Sequence, residues 1–373
     1  MPATDDPVVI SSRPSGLAPR TPFFKHHFQG ANVFMGRILK SHSGELGLTA
    51  TDVQFDSTIA RNFRSLQQKA LDVQLDISKR TTDTLFVDLS LHNKSGHKLP
   101  GGYPSRRMFV ELTVTNDADE VLFHSGAMDA NSQLIDEDTT YEPHYNLINK
   151  TKEVQIYELV MGDVNHKVTT VLERANFALK DNRIPPDGFK TNHFAYDTVP
   201  IVGAALADTD FNKKNSVEGT GTDVIHYHIP VSGSTSALTV DAKVYYQTVS
   251  SKWLEHMFGY SSTEIDRFKS YYAAADKTPV LMGEKTAKSS FTAVTQQKES
   301  AFKIYPNPSK GNVRIRAMSP ILSISLFNAS GWLIRKIPVS GISRSQNFDL
   351  PATKGIYYVR IHTSKGEKVQ KVL

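Results

Sequence analysis

Alternation of apolar and polar residues dominates the chain from Leu71 onward. The segments LDVQLDI, TLFVDLSLHN, MFVELTVTN, EVLFHSG, VIHYHIPV and LTVDAKVYYQTV each repeat with a period of two, and turn residues separate them. VQIYELVM and KVTTVLE show the same pattern more briefly. Such a series of short strands and turns predicts an antiparallel β-sandwich across residues 71–283.

Helical spacing appears in two other places. In residues 23–70, Val33, Phe34, Ile38 and Leu39 fit one amphipathic turn, and Asp56 is the expected cap of a helix carrying Ile59, Phe63 and Leu66. Residues 251–275 hold a second apolar stripe, and residues 169–179 are expected to be partly helical. We therefore predict a mainly β protein with a few flanking helices.

The ends of the chain differ from its middle. Residues 1–22 are rich in Pro, Ser and Gly and predict a flexible arm, while 284–300 are polar and predict a linker. From residue 301 the alternation resumes, with turns at Pro306, Pro308, Gly311 and Gly331. Residues 301–373 are therefore expected to form a small all-β, Ig-like domain of about six strands.

The amino-acid composition excludes several kinds of site and partner. The 373 residues include no Cys, which excludes disulfides, zinc–thiolate sites, cysteine nucleophiles and haem attached through C-x-x-C-H. Basic residues are dispersed at a net charge of +5, so we expect no nucleic-acid partner. No apolar run is long enough for a transmembrane segment, and the N-terminal residues lack the features of a signal peptide.

The tail carries a resemblance to a known family. Ile304-Tyr305-Pro306-Asn307-Pro308, Leu326–Gly331, Gly355–Ile361 and the last residues are similar, in order, to the C-terminal sorting domain of the type IX secretion system of Bacteroidetes. The resemblance implies the type IX machinery as partner and a secreted or cell-surface location. An ordinary C-terminal β-domain is the alternative. Because export calls for a signal peptide, we expect the chain to be the C-terminal portion of a longer protein.

Blocks of the middle region carry a second resemblance. GHKLPGGYPSRRMFVELTV, EPHY with VQIYE, KDNRIPPDGF and VYYQTVSSKWLE are similar to the non-haem C-terminal β-domain of multihaem cytochromes c of the c-552/c-554 type. The segment from His26 to Asn32 resembles the stretch that follows the last haem motif in that family. The haem-attachment motifs themselves are absent, so any haem c would belong to an upstream or partner domain.

Candidate haem contacts follow from that resemblance. His26, His27 and His97 are candidate axial ligands, and Arg106 and Arg107 could bind carboxylates such as haem propionates. The loop from Asn93 to Arg107 could equally be structural, with internal Arg–carboxylate pairs, and each histidine could simply be solvated.

Metal chemistry is a further hypothesis. Asp129, Asn131, Asp136 and Asp138 could supply oxygens to calcium, although no EF-hand pattern is present. Asp208, Asp210 and Asn212 form a weaker set of the same kind, and His226 with His228 share one strand face. Solvated acidic turns and exposed histidines explain these patterns equally well.

Two functions remain open from the sequence. One is an exported accessory β-domain of a multihaem electron-transfer system, which needs a haem-bearing partner. The other is a cell-surface module that binds glycan or protein and has no redox role. No catalytic motif of the common hydrolase or nucleotide-binding classes is present.

Overall fold

The chain forms two compact units, Met1–Phe291 and Thr292–Leu373, and each is described by itself. The computed structural model describes residues 3–4, 6–21, 23–24, 30–138, 140–234, 236–289, 302–339, 341, 343–363 and 366–373.

Four helices flank the strands of the N-terminal unit: α1 Val33–Ser41, α2 Asp52–Gln68, α3 Ser251–Phe258 and α4 Thr263–Ala274. The cap of α2 differs from the expectation. Thr51, not Asp56, caps the helix, because its side chain and that of Gln54 satisfy each other's backbone N–H in a capping box. The stripe expected over 251–275 is two helices, α3 and α4, since the chain breaks between them. Among the described residues, no helix combines the length and the apolar character needed to cross a membrane.

The N-terminal unit is built on fifteen described strands. They are β1 Ala3–Thr4, β2 Phe23–Phe24, β3 Leu71–Arg80, β4 Thr84–Asn93, β5 Arg107–Asn116, β6 Val121–Ser125, β7 Leu147–Ile148, β8 Ile156–Tyr157, β9 Leu159–Gly162, β10 Phe177–Asp181, β11 Lys213–Lys214, β12 Val217–Glu218, β13 Thr222–Pro230, β14 Leu238–Gln247 and β15 Val280–Ser289.

Two sheets form a sandwich, which confirms the predicted fold class. One sheet has the order β3-β4-β13-β7 and the other β15-β14-β5-β6, with β8 also pairing with β5. All these pairs are antiparallel except β13 with β7. Buried and half-buried residues alternate along β4, β13 and β14, and the buried sets share one core. Period-two alternation therefore marks the inner face of each sheet, where water is excluded.

The connections between β8 and β13 depart most from the sequence expectation. KVTTVLE is not a strand: it contributes one isolated bridge, between Val168 and Gly162, and a 3-10 turn at Leu172–Arg174. The helix considered for residues 169–179 is limited to that turn, because β10 begins at Phe177 and pairs with β9. Short apolar runs are ambiguous in sequence, and here tertiary pairing decides their conformation.

The segment expected to be a linker begins as a strand. β15 continues through Ser289, so residues 284–289 pair with β14 instead of connecting domains. Their side chains are mostly exposed, which explains the polar composition, because backbone pairing requires no apolar side chain. Residues 290–301 lie outside the described part of the chain.

The C-terminal unit is entirely β among its described residues and has its own core. A three-stranded sheet, β16-β17-β20, accompanies a four-stranded one, β19-β18-β21-β22. β20 was not predicted, because only Phe348 of its five residues is buried and the alternation is too weak to recognise. The strands are β16 Phe302–Tyr305, β17 Asn312–Ala317, β18 Ile321–Phe327, β19 Leu333–Ile337, β20 Ser345–Asp349, β21 Tyr357–Thr363 and β22 Gly366–Val372.

Gly126, just after β6, lies very close to the backbone of β5. Its φ is +74°, and a Cβ there would lie 2.1 Å from the Val110 carbonyl oxygen. Gly233 has a similar φ of +78° but open space around its Cβ position. We expect Gly233→Ala to cost about 1–2 kcal/mol from left-handed backbone strain alone. Gly126→Ala should cost roughly 3 kcal/mol or more, because overpacking adds to that strain. Urea unfolding of both variants would measure the difference, and equal losses would contradict this account.

Candidate functional site

The Gly- and Pro-rich loop between β4 and β5 is held firmly at its base. Asn93, fully buried at the end of β4, donates from Nδ2 to the carbonyl oxygens of His97 (2.7 Å) and Ile184 (2.8 Å). Leu99 and Ile184 exchange backbone hydrogen bonds of 2.8 and 2.9 Å. The loop is thus fixed from inside the unit, while its tip is left in solvent.

A buried ion pair supplies the second anchor of the loop. Lys98 donates from Nζ to Asp181 Oδ2 (2.9 Å) and to the Pro200 carbonyl (2.8 Å). Arg183 binds both oxygens of the same carboxylate at 2.8 and 2.7 Å. Burial lowers the pKa of Lys98 more than the neighbouring Asp181 carboxylate raises it. Because Asp181 lies at the end of β10, this cluster ties the loop to the KDNRIPP block.

His97 is exposed at the tip, and no described residue hydrogen-bonds to its ring. Its backbone is held through Asn93 and Ser95, so the imidazole is presented from a fixed main chain. His26 and His27, the other two candidate axial ligands, lie outside the described residues. Of the three histidines, only His97 can be placed relative to the rest of the site.

The two arginines have different environments. Arg106 donates from Nη1 to the Gly101 carbonyl (2.9 Å) and lies over Gly102, half-buried and within the loop. The side chain of Arg107 is only 4% exposed and is paired at 2.9 Å with both oxygens of Glu137 and at 2.7 Å with Gln247. The Arg107 guanidinium already neutralises a buried carboxylate, and its role as a propionate ligand stays a prediction that this pairing does not favour.

The acidic loop proposed for calcium is organised by backbone hydrogen bonds. Asp129 accepts from the N–H groups of Asn131 and Gln133 (both 2.8 Å), and Asp138 accepts from that of Thr140 (3.0 Å). Asp136 has a φ of +63°. Within the described residues, Asp129, Asp136 and Asp138 do not come together as a group of three carboxylates, so calcium binding here stays a prediction.

Among the described residues, one histidine and two carboxylates lie close enough together to hold a metal ion, a group that the sequence did not single out. His144 of the EPHY block lies with Nε2 2.9 Å from Asp208 Oδ2 and 4.0 Å from Asp223 Oδ2. All three side chains are at most 1% exposed. The spacing would allow a metal ion, so the protons on the histidine decide whether one fits.

The proton arrangement at His144 does not fit a metal ligand. Its Nδ1 faces the side-chain amides of Gln155 (3.0 Å) and Asn182 (3.2 Å). Both amide orientations are fixed, because Gln155 Oε1 accepts from the Tyr145 N–H and Asn182 Oδ1 from the Glu158 N–H. Two N–H donors therefore point at Nδ1, so Nδ1 is an acceptor and the proton is on Nε2. A metal on Nε2 would need the opposite tautomer.

Asp223 completes this closed network. Tyr157 donates to Asp223 Oδ2 at 2.5 Å, and Asp223 Oδ1 has no hydrogen-bond partner among the described residues. Burial, with the nearby Asp208 charge adding to it, raises the pKa of Asp223 to about 6, although His144 and Tyr157 act in the opposite direction. The same burial and the Asp223 carboxylate raise the pKa of Tyr157. The buried cluster joins the EPHY, VQIYE and KDNRIPP blocks to one another.

The position of Asp223 in the sequence pattern did indicate a buried carboxylate. In β13 the core-facing positions are Asp223, Ile225, Tyr227 and Ile229, so a carboxylate occupies a place in an apolar register. A buried carboxylate needs donors. That position alone could have indicated a polar network, although not its partners.

The side chains of His226 and His228 point outward from β13, as expected, and have different partners. His226 contacts Asp88 through Nδ1 (2.6 Å) and Asp210 through Nε2 (3.3 Å), while His228 packs edge-on against Phe86. Burial lowers the pKa of His226, but the two carboxylates outweigh it and raise the pKa overall. His226 is thus an ion-pair partner on the sheet surface.

Comparison with known families identifies the C-terminal unit. Residues 303–373 match the secretion system C-terminal sorting domain. This confirms the sorting domain predicted from the tail, and the chain is cargo of the type IX machinery, released from the cell or kept at its surface.

Comparisons with solved structures give low TM-scores and low sequence identities. A penta-haem cytochrome c552 from Thermochromatium tepidum gives a TM-score of 0.35 at 16% identity, over 61% of this chain and 41% of the cytochrome. HBP35 of Porphyromonas gingivalis gives 0.21 at 12% identity, over 87% of this chain and 69% of that protein. This chain therefore spans less than half of the cytochrome. Comparison with curated proteins finds no match.

Tyr157 and Tyr227 offer a matched test of the buried network. Both are fully buried, but the Tyr157 hydroxyl donates a hydrogen bond to Asp223 while the Tyr227 hydroxyl has no hydrogen-bond partner among the described residues. Tyr157→Phe should destabilise the protein by about 2–3 kcal/mol, since a buried carboxylate loses its donor. Tyr227→Phe should be near neutral. Urea denaturation would compare them, and a loss as large in Tyr227→Phe would refute the role of the network.

The raised pKa of His226 gives a pH prediction. A histidine whose pKa is higher in the folded state adds stability that is complete below its unfolded value of 6.5. That stability disappears as the pH rises through the folded-state pKa. We expect His226→Gln to destabilise the protein more at pH 6 than at pH 9. Thermal melts at both pH values would show it, with His256→Gln, on the exposed surface of α3, as the control. A deficit independent of pH would contradict the ion pair.

Proposed function

We propose that the N-terminal unit is an exported accessory module that docks on a haem-bearing domain or protein. In this proposal the loop from Asn93 to Arg107 makes the contact and presents His97 to a haem that the chain does not itself attach. Arg106, beside it on the loop, would face the propionates. Histidine is a common axial ligand of haem iron, and arginine suits carboxylates.

The free ring of His97 on an anchored loop is the observation that carries the proposal. Asn93, Leu99 and the Lys98–Asp181–Arg183 cluster fix the loop, so little conformational entropy would be lost when His97 binds. The absence of cysteine requires the haem to come from elsewhere. The blocks that resemble the cytochrome β-domain, GHKLPGGYPSRR, EPHY, VQIYE and KDNRIPP, also meet around the base of this loop.

A haem c peptide with one open axial position tests the proposal directly. Titrated with the full chain, its spectrum should change from high-spin to low-spin as the His97 imidazole replaces water. The change should occur at concentrations well below those at which free imidazole produces it, because the loop is pre-organised. His97→Ala should lose the effect.

His256→Ala, which removes another exposed histidine, is the matched control and should behave as the wild type. Equal titrations of all three proteins, or no spectral change with any of them, would contradict a haem-ligating role for His97. The module would then be a cell-surface binding domain with no redox role.

A further inference from the structure

A pocket of about 90 Å³ lies between β9 and the start of α3, and neither His97 nor Arg106 lines it. Its apolar wall is formed by Leu159, Val160, Met161 and Val168. The Trp253 indole, which also packs edge-on against Tyr103, forms part of the lining. The volume excludes a haem macrocycle, and a ring-sized ligand would be enclosed only in part.

The charges in the pocket lining cancel. Arg107 and Lys252 both pair with Glu137, at 2.9 and 3.2 Å, and Glu158 is bound at its other side by the buried Lys180 at 3.1 Å. The lining therefore holds two cations, Arg107 and Lys252, and two carboxylates, Glu137 and Glu158. A lining whose charges are already engaged in ion pairs favours a neutral ligand over an anion or a cation.

Several polar groups in the lining have no assigned partner. Within the described residues, no hydrogen bond is made by the indole N–H of Trp253, the hydroxyl of Tyr141 or the hydroxyl of Thr170. Glu158 uses only Oε1 to bind Lys180, which leaves Oε2 as an acceptor. Donors and an acceptor thus stand around an aromatic face and an apolar wall.

From these features we propose that the pocket binds one neutral saccharide ring. The apolar face of a pyranose would lie on the Trp253 indole, and its hydroxyls would bond to Glu158, Tyr141 and Thr170. An aromatic side chain with a few placed polar groups is the usual composition of a selective small-ligand site. The proposal is independent of haem docking, because neither His97 nor Arg106 takes part.

The two tryptophans of the chain, Trp253 and Trp332, make a clean fluorescence experiment possible. Trp332, in the C-terminal unit, is 76% exposed. In Trp332→Phe the pocket indole is the sole reporter. Titration with glucose, galactose, mannose, N-acetylglucosamine and their neutral disaccharides should give a saturable change with at least one sugar. Galacturonate, which is anionic, should bind that site at least tenfold more weakly than the best neutral sugar.

Calorimetry with the best sugar would assign the contacts. Trp253→Ala should abolish binding, while Trp332→Phe should keep it. Tyr141→Phe should weaken binding several-fold, and the exposed Tyr260→Phe should not. Circular dichroism would confirm that each variant is folded.

Two outcomes would overturn the proposal. One is the absence of any saturable response of Trp253 to the neutral sugars, and the other is unchanged binding in a folded Trp253→Ala variant. Neither outcome bears on haem docking, which the His97→Ala titration tests separately.

Discussion

Desolvation of polar groups at one end of the sandwich is the constraint on which the rest of the N-terminal unit depends. Asp181 is buried and is compensated by Lys98 and Arg183, and the buried Asp223 takes a hydrogen bond from Tyr157. Removing one partner of such a pair strands a charge in a low-dielectric interior, which costs about 3–5 kcal/mol. The strands and the loop that carry these side chains are therefore held to one arrangement.

In that arrangement, different residues hold the loop in place and face the solvent. Buried side chains such as Asn93 and Lys98 hold the loop before β5, and His97, next to the buried Lys98, is exposed. A similar division occurs near α3, where Glu137 forms ion pairs with Arg107 and Lys252. Among the described residues, the indole N–H of Trp253 and the hydroxyl of Tyr141 have no hydrogen-bond partner there. In both places buried ion pairs stabilise the unit.

The sorting domain gives the context for both proposals. An exported chain without cysteine cannot use disulfides, so its stability depends on core packing and on the internal polar network. Gly126 shows how tight that packing is, because a single added methyl group would meet the Val110 carbonyl. A rigid framework of this kind suits a module that presents loops to partners outside the cell.

The sequence by itself determined the strands with clean alternation, such as β4 and β14, and the identity of the tail, because both are encoded by local order of residue types. It did not determine β20, the first residues of the expected linker or the turn at Leu172, since their conformation follows from pairing with distant strands. Only the tertiary structure showed that Arg107 forms a buried ion pair with Glu137 and that the side chains of His144, Asp208 and Asp223 lie together. Those residues are separated by 15 or more positions in the chain, and burial, which sets their partners and protonation, is a property of the folded core.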